Sequence, residues 1–482
     1  MPTLPVPLNV ISDQQNVLKQ YPENGLQPSP LPVVNPTRSF WLQLENFYED
    51  PDSSHGPRSP SLMTDGSVGS LTADADICIV GSGISGVSAA YHLARKLEAA
   101  QKSHTYSQAD GHAEDTAMKS GPDLVGRNGG HLTAALYEGF THNSSLHGSD
   151  DALREYALQK HTVSELTQLV SLHESRVSFT EARRSVDLIA GGHVELFFTE
   201  REYECARTDY EAAKAAGADL HEVEWLNREE TEVKYGAGYP AVRIPGNNLR
   251  PYQVVQLLYE LAQAATPNFA LNIHTRTPVT SIVPCEDETG RRWSLTTPRG
   301  AISCSYVIHA TNAYVSHLLP HMAGPDGVIP TRGQVMSIRA AAPLSEVTKV
   351  GWSGNEGFEY WFPRPLTHPS ISDNSEGDDQ RPVVILGGGR EAMMPSYELY
   401  EADDSTVDKK VGEAMRKFLP AVFPGKYEIG REPEMEWTGI MGFTKTGDPF
   451  VGPVKSASGK TLEGQFISAG FSGHGMPRAF AW

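Results

Sequence analysis

Hydrophobic and polar positions along this chain follow two periods, and the switch between them is sharpest at residues 76–97. Ile77, Ile79 and Val80 make an apolar run too short for a helix, which reads as a buried strand. It breaks at Gly81-Ser-Gly83-Ile-Ser-Gly86, after which Ile84, Val87, Tyr91, Ala94 and Leu97 share one helical face. Helical spacing returns in Leu153, Tyr156, Val163, Leu166 and Val170, and again in Val254, Val255, Leu258 and Leu261 behind Pro251 at a first helical turn. A polar helix is predicted near 203–216, ending at Gly217, and another near 406–419, ending before Pro420. Strands are predicted at 186–190 and 193–198, joined by Gly191-Gly192, then at 279–283, 293–297, 306–309, 328–340, 358–362, 383–387 and 465–471. The polar stretch 98–125 and the acidic, Ser-rich stretch 367–381 read as loops, and no internal repeat is visible. Strands mixed with helices place the chain in the α/β class. Residues 1–70 are rich in Pro, Ser and Asn and read as an extended segment, anchored to the body by Phe40-Trp41-Leu42.

Composition narrows the function. A formal charge of −19, from 40 basic and 59 acidic residues, and the lack of any Lys/Arg-rich run exclude a nucleic-acid surface. Cys78, Cys205, Cys285 and Cys304 are widely spaced and point to a reducing compartment rather than a disulfide framework. Residues 1–7 lack the pattern of a secretory signal, and no run of 18 apolar residues occurs, so a cytoplasmic protein without a membrane partner is expected.

Three glycine-rich stretches carry candidate chemistry. In the first, Gly81 suits a tight turn, Gly83 lets backbone approach a pyrophosphate, and Gly86 lets the helix pack on the strand. The pyrophosphate would sit on free N–H groups at the helix start. The second is Gly126-Arg127-Asn128-Gly129-Gly130-His131, suited to backbone pressed on a planar ligand with polar edges. The third, Gly470-Phe-Ser-Gly473-His474-Gly475-Met-Pro-Arg478, follows a strand and reads as a helix start that would stabilise negative charge on a reduced ring. Ordinary turns are the competing explanation for the last two. Gly459-Lys460-Thr461 lacks the upstream glycine of a P-loop, and the histidines at 104, 112, 142 and 147 lack ligand spacing, so no metal is expected.

These stretches occur in one order with Ala310-Thr-Asn-Ala-Tyr314, Pro330-Thr-Arg-Gly-Gln334 and Glu436-Trp-Thr-Gly439. Over 76–482 the chain thereby resembles the FAD-dependent amine and amino-acid oxidases of the D-amino-acid oxidase, glycine oxidase and sarcosine oxidase superfamily, and most of all its gamma-glutamylputrescine oxidase-like branch. The resemblance implies a Rossmann-type FAD-binding domain built from 71–175, 246–325 and 426–482, interleaved with a smaller antiparallel substrate domain built from 176–245 and 326–425. It implies FAD with its pyrophosphate on Gly81, Gly83 and Gly86. Arg127, Asn128, Gly130 and His131 would border the flavin, with Gly473, His474 and Gly475 at its pyrimidine end. The reaction implied is oxidation of an amine to an imine with oxygen as acceptor. No catalytic base is assigned, because the amine can lose its proton on binding.

The chain departs from this pattern in three places. The acid expected about 20 residues past the first motif to hold the ribose is missing, because residues 101–108 are polar without an apolar strand; Asp110, Glu114 and Asp115 come late. The chain also ends just inside the helix that the family continues. Finally, Met441 occupies the place of the arginine that clamps a carboxylate in the glycine oxidase pattern. A thioether cannot pair with a carboxylate, which points to amines rather than simple α-amino acids unless Arg332 or Arg364 reaches the pocket. Tyr360 and Trp361 are further candidates for the substrate wall. Two other readings stay open from sequence: an NAD(P)-dependent dehydrogenase, and a binding or scaffold protein that has lost its cofactor.

Overall fold

The short apolar run of the first motif becomes Asp74–Val80, the centre of an eight-stranded sheet. The main path runs Phe450–Lys455, Thr461–Ala469, Gly300–His309, Asp74–Val80, Glu114–Lys119 and Phe269–His274, with Trp293–Thr297 and Ser281–Pro284 added antiparallel beside Gly300–His309. Asp74–Val80 pairs in parallel with both neighbours, so both its faces need cover. Ile79 packs under the helices Ile84–Lys102 and Pro251–Ala264, while Cys78 and Val80 pack with Leu295, Ile302 and Val307 on the other face. The protein is seen in a computed structural model that describes residues 3–22, 25–42, 64–102, 114–119, 126–174, 185–265, 269–285, 290–364 and 381–481.

A second eight-stranded sheet has the order Met435–Phe443, Ile329–Arg339, Val383–Gly388, Glu359–Pro363, Gly351–Gly354, His193–Leu196, Ala241–Ile244 and Glu224–Leu226. It is antiparallel except where Gly351–Gly354 meets His193–Leu196. Cross-strand partners share a face. The pairs Glu195↔Ser353, Ser353↔Tyr360 and Tyr360↔Gly387 therefore set one row across this sheet. The next row, Trp352 and Trp361, turns to the opposite face and packs with Phe418, Leu419 and Phe423. The helix that carries Phe418 and Leu419, Lys409–Val422 with Phe423 as its C-cap, continues through Pro420 rather than ending before it. Its apolar positions Val411, Met415, Phe418, Leu419 and Val422 are all buried, and that packing outweighs the one backbone bond a proline removes.

Several sequence expectations need correction. The stretch 98–125, read as loop, contains the end of the helix Ile84–Lys102 and the strand Glu114–Lys119. That strand has no apolar run of its own. It is held by two parallel ladders, Ile77↔Thr116 to Val80↔Lys119 on one side and Glu114↔Phe269 to Lys119↔His274 on the other. Pairing rather than propensity makes it a strand. Residues 435–443, expected with the nucleotide-binding part, run along Ile329–Arg339 in the second sheet. Residues 186–190 form only the bridge Ile189↔Asn248, whereas His193–Leu196 is a full strand. The N-terminal segment is not wholly extended, since it includes the helix Ile11–Leu18, and Trp41 packs against the body at 1% exposure. Residues 472–481 are turns, not the start of a helix. The loop 367–380 lies outside the described residues. Among the described residues no helix is long and apolar enough to cross a membrane, and no group of three or more His, Cys, Asp or Glu could hold a metal.

Candidate active site

The first glycine turn stands at the carboxyl edge of the parallel strands, where open α/β sheets take ligands. Gly81 has φ +117°, and a Cβ there would lie 2.4 Å from the Ala310 carbonyl oxygen. A Cβ on Gly86 would lie 1.9 Å from the Gly81 carbonyl oxygen, so the helix can seat on the turn only with glycine. A Cβ on Gly83 would meet nothing within 4 Å, because Gly83 faces a cavity of about 730 Å³. Ser82 Oγ, Thr311 Oγ1 and Tyr314 Oη are buried along that cavity without a hydrogen-bond partner. Together with the free N–H groups of the helix start they suit the phosphate and sugar oxygens of a dinucleotide. The expected second strand is present after all, and it ends opposite Val80 on Lys119. Glu114 is the first residue of that strand, at the end away from Lys119. Asp110 and residues 120–125 lie outside the described residues.

The second glycine stretch forms a wall of the same cavity. Two indoles pin its backbone: Trp437 Nε1 donates to the Arg127 carbonyl at 3.0 Å and Trp41 Nε1 to the Asn128 carbonyl at 2.8 Å. Asn128 Oδ1 accepts from Gly130 N–H at 2.9 Å. The Arg127 guanidinium donates to the Thr438 carbonyl at 2.7 Å and pairs with buried Asp404 at 3.2 Å. The Tyr360 ring fits only because both its neighbours are glycine: a Cβ would lie 2.0 Å from it on Gly129 and 2.2 Å on Gly387. His131 meets the rings of His193, Tyr360 and Phe362 edge-on at 5.4, 5.3 and 5.1 Å, and neither of its ring nitrogens has a hydrogen-bond partner. Burial holds its pKa well below the usual imidazole range.

The third stretch also lines the cavity. Asn312 Oδ1 accepts from Gly470 N–H at 2.9 Å, and Ser472 N–H donates to the Gly442 carbonyl at 2.7 Å. These bonds hold Ser472 and Gly473 at φ 50° and 81°. His474 Nε2 lies 3.2 Å from Gln159 Oε1. Burial, and then Arg478, lowers its pKa to about 3. Arg478 is paired with Glu155 at 2.5 Å.

The cavity thus brings together Gly81, Gly83, Arg127, Asn128, Gly130, His131, Tyr360, Met441, Gly473, His474 and Gly475. Gly86 sits behind the cradle. Trp361 does not line the cavity, because adjacent strand residues face opposite ways and it stacks on Trp352 at 5.7 Å in the core. Six charged or titratable wall residues escaped the sequence reading: Glu138, His193, Glu195, His317, Glu356 and Arg390. Burial, and then Glu138, pushes Glu195 up to about 8, and burial lowers His193 to about 4. Alternation in His193-Val-Glu195 was the available signal, but it could not tell which face lines a cavity. The arginines weighed from sequence are engaged elsewhere, Arg332 with Glu398 at 2.5 Å and Arg364 with Asp187.

These buried groups set a pH dependence of stability. His309, His193 and His474 stay neutral down to about 4, 4 and 3, whereas the unfolded chain protonates near 6.5. Their neutral burial therefore costs stability progressively as pH falls below 6.5. Glu202 and Glu195 are raised to about 7 and 8 from 4.5, so their contribution is complete below 4.5 and is lost as pH rises through 8. The thermal midpoint is expected to peak near pH 6–7 and fall on both sides in calorimetry from pH 4 to 9. A midpoint still climbing between pH 7 and 8 would contradict this balance.

Fold and site define an α/β protein whose cavity, lined from both sheets, suits a dinucleotide. The chain belongs to the FAD-dependent oxidoreductase (DAO) family, whose model matches residues 76–481. It is 24% identical over 413 residues to the probable oxidoreductase OrdL of Rhizobium meliloti, covering 83% of this chain and 79% of that one. The fold is similar to that of glycine oxidase from Geobacillus kaustophilus, with TM-score 0.56 and 17% identity over 85% of this chain and 92% of that one. It is also similar to iminodiacetate oxidase from Chelativorans sp. BNC1 (TM-score 0.57, 15% identity, 84% and 92% coverage) and to L-proline dehydrogenase from P. horikoshii (TM-score 0.58, 14% identity, 85% and 91% coverage). The protein is an FAD-dependent oxidoreductase, and the nicotinamide and scaffold readings give way.

Proposed function

We propose that the protein oxidises the C–N bond of a small amine to an imine, with oxygen as the final acceptor. The observation that carries this reading is the continuity of one cavity from the Gly81–Gly86 cradle to the wall of His131, Tyr360, Met441 and Gly473. Gly81, Gly83 and Gly86 would hold the pyrophosphate. The pinned backbone at Arg127, Asn128 and Gly130, with His131, would border the flavin, and Gly473, His474 and Gly475 would meet its pyrimidine end. When bound, FAD supplies a two-electron acceptor for the hydride of the C–H bond beside the nitrogen.

The wall has two tasks in this chemistry. Its buried neutral histidines place no cation beside the amine, and desolvation favours the uncharged amine that can be oxidised. The rings of Tyr360 and Phe358 and the Met441 thioether exclude water from the reacting carbon. The imine is then hydrolysed to a carbonyl compound, and oxygen takes up two electrons and two protons to give peroxide. The structural neighbours, by their names, act on glycine, iminodiacetate and L-proline, all amines, which supports the C–N assignment.

The test is anaerobic addition of an amine and amino-acid panel to the FAD-loaded protein. The flavin absorbance should bleach with at least one member and return with peroxide when air is admitted. Bleaching by dithionite but by no panel member would sink the amine reading. Recovery only with an added artificial acceptor would remove oxygen from it.

A further inference from the structure

The N-terminal segment lies outside the residues that the family model matches, 76–481, yet Ile11, Gln14, Leu31 and Pro32 form part of the cavity wall. It is tied to the body along its length. Asn355 Nδ2 donates to the Pro7 carbonyl at 3.1 Å, and Ile11 N–H donates to Glu356 Oε2 at 2.9 Å. Further on, Ser29 Oγ donates to the Ala313 carbonyl at 2.9 Å and Ser39 Oγ to the Gly126 carbonyl at 2.8 Å. The first two ties seat the helix Ile11–Leu18. Val10 and Leu18 pack with Phe358 and Phe443, and Met441 packs against the same cluster. Met441 is in turn beside Gly473, where a Cβ would lie 3.6 Å from its sulfur. The helix thus reaches the cavity beside Met441, in the part where the substrate is proposed to lie.

Gln14 stands in the middle of the buried face of this helix, one turn from Val10 and one from Leu18, so that the three share a row. An apolar residue would complete that row. Gln14 is instead a side-chain amide, 1% exposed, and its Nε2 is buried with no hydrogen-bond partner among the described residues. An unpaired buried amide is a net cost to the fold. This one lines a cavity, so a ligand can supply the missing partner. We propose that Gln14 is a specificity-determining residue, and that the substrate amine carries an uncharged hydroxyl or carboxamide, remote from the reacting carbon, that bonds to the Gln14 amide. A primary amide offers a donor and an acceptor side by side, which a neutral hydroxyl or carboxamide can match and an alkyl chain cannot. The inference deepens the amine-oxidation reading of the cavity and takes the reacting group from it.

The experiment compares kcat/KM of the FAD-loaded protein for shape-matched pairs with and without the polar group. The hydroxyl pairs are 3-aminopropan-1-ol and butylamine, and 5-aminopentan-1-ol and hexylamine. The carboxamide pairs are 4-aminobutanamide and 4-methylpentylamine, and 6-aminohexanamide and 6-methylheptylamine. In at least one pair the polar member should lead by about tenfold or more, the size expected when the wrong compound leaves a buried amide unpaired. In Gln14→Met and Gln14→Leu that ratio should fall to about one or below, and Gln14→Asn, with the same amide on a shorter stem, should keep part of it. Both apolar variants should melt no lower than the wild type, because they remove an unpaired amide from an apolar row; an amide with a merely structural role would lower the melting point when lost. Alkyl members equal or ahead in every pair, or a ratio that survives in both apolar variants, would overturn the proposal. A second readout needs no turnover. Gln14→Cys in the FAD-loaded protein is treated anaerobically with methyl methanethiosulfonate, and peptide mass spectrometry locates the label. The introduced thiol should react, and the hydroxyl or carboxamide compounds should slow its reaction. No labelling at position 14, or labelling that no compound slows, overturns the placement. If no compound reduces the flavin yet the polar members slow the labelling, the amine reading falls while the Gln14 contact stands.

Discussion

Gly86→Val should yield a colourless protein that does not retain FAD. The Cβ alone would approach the Gly81 carbonyl oxygen to 1.9 Å and the Ile79 Cγ2 atom to 3.4 Å, so the helix Ile84–Lys102 must lift off the turn. Gly81 cannot yield in the other direction, since it is itself packed against the Ala310 carbonyl. Lifting the helix removes its N–H groups from the pyrophosphate, and the loss of several charge-assisted hydrogen bonds corresponds to a drop in FAD affinity of at least about 100-fold. Gly83→Ala is the control, because its Cβ meets no protein atom within 4 Å. That variant should fold with unchanged apoprotein melting and lose affinity only through contact with the cofactor. Flavin content after gel filtration and calorimetric titration with FAD separate the two. Full retention of FAD by Gly86→Val would show that the cofactor does not sit on this turn.

Arg127→Met should cost about 3–5 kcal/mol of stability, because it strands a buried carboxylate. Arg127 is 8% exposed and its partner Asp404 1%, and the same guanidinium holds the Thr438 carbonyl. A double variant, Arg127→Met with Asp404→Leu, should recover much of the loss, since an apolar pair of similar volume can replace a buried ion pair. Denaturant midpoints of the single and double variants make the measurement. The position lies beside the proposed flavin site, so a competing outcome is informative. Unchanged stability with an altered flavin spectrum would mean that Arg127 acts on the cofactor rather than as a tie between the second glycine stretch and the residues near Asp404.

The strand–glycine–helix unit at 74–102 was legible from sequence because its causes are local. A two-residue period, turn sterics at Gly81 and a helical apolar face all act within about 20 residues. The order of the glycine-rich stretches was legible for the same reason. The sequence offers both Tyr360 and Trp361 for the substrate wall, although neighbouring strand residues face opposite ways. Which of those two faces lines the cavity was decided only when Glu359–Pro363 found its neighbours in the second sheet. The strand Glu114–Lys119 shows the limit most plainly. It has no apolar run of its own, and it is a strand because Asp74–Val80 and Phe269–His274 offer it ladders on both edges. The charge balance of the cavity is also a tertiary property. Met441, read by itself, implied a wall without a cation, but Arg390 arrives from 51 positions earlier in the chain, between Phe358 and Phe443. Sequence by itself determined the elements whose hydrogen bonds and apolar period close within one segment. Tertiary structure alone decided strand pairing, burial and the company of charges, because each depends on groups that the chain brings together from far apart.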